Sequence, residues 1–201
     1  MKSKLGDIFN KSAEISMSFD VLRPNGAAID IPHGVLILGA LMSSKPQSIV
    51  ELGIGTGFVT SLIFQGIEYN NTGELTCVDN LHDFGGHLKP EILEKLKKTN
   101  AKILAPMQEK EFVYQAENNS YDFLVSDADH FHAGDWAEEI FRIMKPDSFM
   151  FFHDVNPRDF PNLMRYKTLS DELGKPNFLF TKCSRNDEIC ERGLLMVINK
   201  K

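Results

Sequence analysis

Few folds accommodate the stretch Ser48-Ile49-Val50-Glu51-Leu52-Gly53-Ile54-Gly55-Thr56-Gly57-Phe58-Val59-Thr60-Ser61-Leu62-Ile63-Phe64. Apolar and β-branched residues come first, three glycines alternate through the middle, and apolar residues at helical spacing follow. That order predicts a buried strand, a tight turn and the start of a helix. Glycine at 53, 55 and 57 lets the backbone take positive φ and lets a ligand approach with no Cβ in the way, while the new helix N-terminus offers unpaired N–H donors. In open α/β sheets the first such turn is where nucleosides bind. The spacing Gly-x-Gly-x-Gly differs from the dinucleotide fingerprint Gly-x-Gly-x-x-Gly, and an acid, Glu51, precedes it. The alternative is a tight strand–helix turn that holds no ligand.

Downstream, Glu74-Leu75-Thr76-Cys77-Val78-Asp79 reads as a second strand ending in an acid. A carboxylate about 20 residues past the glycines is placed to accept both hydroxyls of a ribose. A plain strand-end turn is the other reading of Asp79. Pro90 to Thr99 reads as an amphipathic helix and Lys102-Ile103-Leu104-Ala105 as a short strand. Asp122-Phe123-Leu124-Val125-Ser126 reads as the fourth strand, delivering Asp127-Ala128-Asp129-His130 at its C-terminal edge, where open parallel sheets place their active sites. A helix is expected from about Asp135 to Lys145, with Asp135 and Glu138 spaced as a capping box and Pro146 as its stop. Ser148-Phe149-Met150-Phe151-Phe152 is then a strand buried on both faces, ending in His153-Asp154-Val155-Asn156. The tail from Pro157 to Gly174 reads as mostly helical. Pro176 to Thr181 and Gly193 to Asn199 read as two strands joined by a polar loop from Cys183 to Arg192.

With 201 residues and 42% hydrophobic composition, one α/β domain spanning 1–201 is expected. Residues 1–30 form a helical extension or cap in this reading, with Ile8, Phe9, Ile15, Met17 and Phe19 on one face. Capping the site and pairing two chains as a homodimer both remain open for it. Arg23-Pro24-Asn25-Gly26 is turn chemistry, and a helix-like block runs from His33 to Met42. The net charge of −6 argues against a nucleic-acid surface, and Lys95-Leu96-Lys97-Lys98 reads as the solvated face of a helix. Cys77, Cys183 and Cys190 are an odd count without a CxxC pair, which fits a reducing cytoplasm, with a Cys183–Cys190 contact across a hairpin left open. No apolar run is long enough to span a membrane and no secretory segment is visible, so a cytoplasmic protein is expected. His82, Asp83, Gly85, Gly86 and His87 match no metal-ligand spacing and read as loop.

The pattern ELGIGTGF resembles motif I of class I S-adenosylmethionine-dependent methyltransferases. IDIPHGVLILGAL looks like the helix that precedes motif I in small O-methyltransferases of the catechol and caffeoyl-CoA kind. YDFLVSDADHFH…RIMKPDSFMFFHDVN resembles the fourth-to-fifth-strand region of metal-dependent small-molecule O-methyltransferases, including bacterial groups whose fifth strand ends in His-Asp. The resemblance covers roughly residues 27 to 156. It implies a Rossmann-like, doubly wound, seven-stranded α/β sheet, mostly parallel, with one antiparallel strand near the C-terminus. It further implies that Glu51, Gly53, Gly55, Gly57, Asp79, Gln108 and Asp127 bind S-adenosylmethionine, Gln108 at the adenine. Carried over by position, Asp127, His153 and Asp154 would hold a divalent metal, magnesium, manganese or another, and His130 or His153 would be the catalytic base. A His-Asp pair in place of Asp-Asn suits manganese, iron or zinc better than magnesium or calcium. The implied reaction is methylation of a hydroxyl on a small-molecule acceptor such as a sugar or secondary metabolite. A silent nucleoside-binding module and an aminopropyl-type transferase are the alternatives.

Overall fold

The computed structural model describes residues 29–81, 90–185, 188–190 and 192–201. The expected N-terminal extension up to residue 28, the Arg23-Pro24-Asn25-Gly26 turn and the loop carrying His82, Asp83, Gly85, Gly86 and His87 lie outside the described residues. Elements run α1 (Ile31–Ser44), β1 (Ser48–Leu52), α2 (Phe58–Asn70), β2 (Glu74–Val78), α3 (Pro90–Leu96), β3 (Lys102–Leu104), α4 (Glu109–Gln115) and β4 (Tyr121–Ser126). They continue with α5 (Ala137–Ile143), β5 (Met144–His153), α6 (Met164–Glu172), β6 (Asn177–Phe180), β7 (Cys183–Arg185), β8 (Glu188–Cys190) and β9 (Leu194–Ile198). Seven strands form one sheet in the order β3-β2-β1-β4-β5-β9-β6. Pairing is parallel from β3 through β5, and β9 runs antiparallel to both β5 and β6. The expected single reversed strand is therefore β9. The strand order turns back between β1 and β4, which is where open sheets leave a crevice at the C-terminal ends of their strands.

Side-chain alternation along the strands builds a core on each face of the sheet. Ile49, Phe123, Val125 and Phe151 pack against Ile37, Leu38 and Leu41 of α1 and Phe58 and Leu62 of α2. Val50, Leu52, Leu124, Met150 and Phe152 pack on the other side against Phe112 of α4, Ile140 of α5 and Tyr166 of α6. Tyr166 stacks on Phe152 with ring centroids 3.9 Å apart and donates its hydroxyl to the Ala133 carbonyl at 2.8 Å. The same period of two puts His153, at the end of β5, on the α1 side with Phe151.

Three expectations are corrected. The Asp135–Glu138 capping box does not form, because Asp135 sits in a short 3₁₀ turn (Ala133–Trp136) and accepts from Asn162 Nδ2 at 2.9 Å, while Glu138 pairs with Arg165. The helix also stops earlier than Pro146: β5 begins at Met144 and carries Pro146 near its start, beside a register shift between Tyr121 and Phe123 where a missing ladder N–H is tolerated. The polar loop from Cys183 contains the β7–β8 hairpin, whose register sets Cys183 opposite Cys190.

Candidate active site

The glycine turn takes the conformation that its residues imply. Gly53, Gly55 and Gly57 have φ of +85°, +52° and +78°, and Gly57 is the N-cap of α2. Gly53 also has no room for a side chain, since a Cβ there would sit 2.5 Å from the Asp127 carbonyl oxygen. The turn therefore abuts the segment leaving β4, and Asp127 N–H completes the join by donating to Leu52 O at 2.9 Å.

Asp79 lies beside the turn at the end of β2. One carboxylate oxygen accepts from Ile54 N at 2.8 Å and Gly55 N at 3.4 Å, and the other from Leu81 N at 2.8 Å. Gln108 is exposed at the N-cap of α4, and its segment is tied to Asp79 by the bond from Met107 N to Asp79 O at 3.0 Å. Glu51 departs from expectation. Its carboxyl is 1% exposed and accepts from Thr60 Oγ1 at 2.7 Å and Cys77 Sγ at 3.3 Å, so it lies beneath the turn rather than on its open side. Burial pushes Glu51 up to about 8 against those two hydrogen bonds, and pushes the Cys77 thiol up as well.

The second group gathers on the ends of β4 and β5. His153 Nδ1 lies 3.0 Å from Asp127 Oδ1, and His130 Nε2 lies 3.3 Å from the same oxygen and 3.1 Å from Asp154 Oδ2. Neighbours on a strand point to opposite faces, but Asp154 has φ +56°, a left-handed bend that ends β5 and lets both His153 and Asp154 reach one cluster. Burial opposes charge on Asp127, His130 and His153, yet the pairing wins. Asp127 is held well below the usual carboxylate range by its two imidazoles, and His153 is raised by Asp127. Burial lowers His130 less than its hydrogen bonds to Asp127 and Asp154 raise it, and it ends at about 10, well above the ordinary imidazole range. Arg192 Nε adds a further cation 3.8 Å from Asp154 Oδ1. Asp129, the second acid of its segment, turns away and accepts from the His132 N–H and ring at 3.1 Å.

Four nearby residues were assigned no individual site role from the sequence. His33, in the first turn of α1, meets His153 edge-on with ring centroids 5.5 Å apart, and burial together with His153 lowers it to about 4. Asp30 precedes it at the N-cap. Glu109 is buried at the start of α4, where burial pushes it up to about 7 and Asn80 Nδ2 donates to it at 3.4 Å. Phe160 packs on the His130 ring at 4.8 Å between centroids. A polar residue in the first turn of an otherwise apolar helix was the available sign for His33.

The fold has relatives among solved structures. An O-methyltransferase from Bacillus cereus, solved in complex with SAH, matches with a TM-score of 0.68 at 11% sequence identity over 96% of this chain and 90% of that one. The O-methyltransferase TomG from Streptomyces achromogenes, involved in tomaymycin synthesis and solved in complex with SAM, matches at 0.64 and 12% identity over 96% and 89%. The SAH-bound methyltransferase PaMTH1 of Podospora anserina matches at 0.60 and 12% over 97% and 88%. Identities this low speak for the fold. No curated protein matches the chain in sequence. A family model described as a methyltransferase domain matches residues 50–155, more than half of the chain, from the middle of β1 to two residues past β5, and the chain belongs to that family.

Proposed function

We propose that this protein transfers the methyl group of S-adenosylmethionine to a hydroxyl of a small molecule. The observation that carries the reading is the contact between its two halves: Gly53 of the cofactor turn lies against the Asp127 carbonyl, so the turn and the carboxylate–imidazole cluster share one wall. The O-methyltransferases of the same fold support the choice of oxygen as acceptor. In this reading the turn amides face the amino-acid end of the cofactor, Asp79 the ribose and Gln108 the adenine.

The acceptor oxygen attacks the sulfonium methyl in line, the carbon–sulfur bond breaks, and S-adenosylhomocysteine leaves. Holding the oxygen about 3 Å from that methyl and removing its proton are the enzyme's main tasks. His130 takes the proton in its neutral form, and His153, buried and bonded to Asp127, is the competing base. A cation held by Asp127, His153 and Asp154 fits less well than their sequence positions imply. Their ligand atoms do lie within 4.8 Å of one another, but His130 Nε2 stands between the two carboxylates and His153 takes the same Asp127 oxygen. Imidazoles already answer that charge, and the proposed transfer uses no metal between these two acids.

Calorimetry with S-adenosylhomocysteine tests the first half of the proposal. Asp79→Ala should weaken binding by about 2–3 kcal/mol, the worth of a charge-assisted bond pair. Absence of binding to the wild-type chain at millimolar ligand would refute it. A screen of hydroxylated acceptors for S-adenosylhomocysteine release tests the second half.

A further inference from the structure

Beside the cluster just described, on the α1 side of the sheet, lies a second convergence of ligand atoms. Asp30, His33 and His153 are all buried, and each offers a carboxylate oxygen or ring nitrogen within 4.8 Å of the others. Asp30 and His33 are three residues apart at the start of α1, one helical turn, and the Asp30 carboxylate does not cap the helix it precedes. His153 arrives from β5 because residues 151 and 153 share the α1 side.

A separate observation points to a ligand there. Neither ring nitrogen of His33 has a hydrogen-bond partner among the described residues, and neither does Nε2 of His153. The His33 residue is 2% exposed and the His153 side chain 0%. Buried imidazole nitrogens are normally paired, because an unmet donor or acceptor keeps its whole desolvation penalty, and three of them on two touching rings call for an atom between or beside them. The tautomer is set from the other side. Asp127 Oδ1 lies 3.0 Å from His153 Nδ1, the carboxylate–imidazole bond that places the proton on Nδ1 and leaves the Nε2 lone pair for a metal.

We propose that His33, His153 Nε2 and the Asp30 carboxylate bind a divalent transition metal, with zinc the best match to the donor set and Asp127 acting as the outer partner that orients His153. Two imidazoles and one carboxylate suit zinc, manganese or iron(II) far better than magnesium or calcium, whose sites are built from oxygens. Three protein donors leave a further coordination position for water or an acceptor oxygen. This site differs from the Asp127–His153–Asp154 set in its ligands, and its existence does not depend on the acceptor that the enzyme methylates.

The full chain, stripped with chelator and dialysed, is titrated with zinc chloride by calorimetry and with cobalt(II) chloride by visible absorption, both without S-adenosylmethionine. One zinc per chain and a cobalt spectrum with nitrogen ligation are expected. His33→Ala should weaken zinc binding by about 100-fold or more and Asp127→Asn by about 10–100-fold, the range for an outer partner. Asp30→Asn keeps the size of the side chain and removes the anionic donor, so it reads the site even if His33→Ala folds poorly. Asp154→Asn should bind zinc as the wild type does. Failure of the wild-type chain to bind zinc, or loss of zinc in Asp154→Asn with retention in His33→Ala and Asp30→Asn, overturns the proposal. Binding of S-adenosylhomocysteine, measured on the same samples, reports separately on the methyltransferase reading.

Discussion

Replacing Glu51 by glutamine should make the protein more resistant to rising pH. The carboxyl is sealed under the glycine turn, with Thr60 and Cys77 donating to one oxygen and the other buried without a partner among the described residues. Burial raises its pKa from 4.5 to about 8, so the folded chain holds a proton there that the unfolded chain releases. The sign follows from linkage: the contribution is fully present below the unfolded value and is lost as pH rises through about 8. A shift of this size spans about 5 kcal/mol in all, of which on the order of 3 kcal/mol falls between pH 5 and pH 8. Glutamine keeps an oxygen for Thr60 and has nothing to ionise, so that part of the slope should vanish. Urea denaturation of both chains at intervals from pH 5 to pH 8 measures it, with Glu109 contributing a smaller fall to both curves as it passes about 7. If the two midpoints run parallel with pH, Glu51 is ionised in the folded protein and the burial argument is wrong.

Gly53→Ala should be far worse than Gly55→Ala. Both residues sit at positive φ, which costs an alanine roughly 1–2 kcal/mol, but only at 53 does the new Cβ run into the Asp127 carbonyl, whereas at 55 it meets nothing within 4 Å. Thermal melts of the two variants check the order, and equal losses would discount the contact. His130→Ala should lower the maximal rate by about 10²–10⁴-fold with cofactor affinity unchanged. Because its two carboxylates push His130 up to about 10, the wild-type rate should climb roughly tenfold per pH unit from neutrality toward that value. The stability that the raised imidazole lends is complete below about 6.5 and drains away over the same interval, so initial rates are needed. A rate that is flat between pH 7 and pH 9 would move the base elsewhere.

Most of the sheet was legible because its signals are local. Alternating glycines declare positive φ, and runs such as Phe149 to Phe152 declare a strand buried on both faces. Asp127, His130, His153 and Asp154 were brought together by a rule about strand ends, and the structure does bring them together. What escaped depends on partners distant in sequence. The acid of Glu51 reads like a ligand contact until Thr60 and Cys77 are found beside it, and Asp135 with Glu138 reads like a capping box until Asn162 and Arg165 claim them. His33 was read only as the start of an apolar helix, since only the packing of α1 over the odd-numbered residues of β5 gives it a neighbour with the same chemistry.

The position of β9 constrains the order in which the chain can finish folding. Strands β1 to β5 settle into their places in the sheet from residues up to 153, yet the free edge of β5 has no neighbour until residues 194–198 have been synthesised and slipped in between β5 and β6. Until then Phe149 to His153 present a ladder of unpaired amides on a strongly apolar strand, the kind of surface on which nascent chains associate with one another. Cells that make this protein quickly, or a translation pause placed before codon 194, should therefore enrich aggregates or chaperone-bound chains whose first five strands are already native.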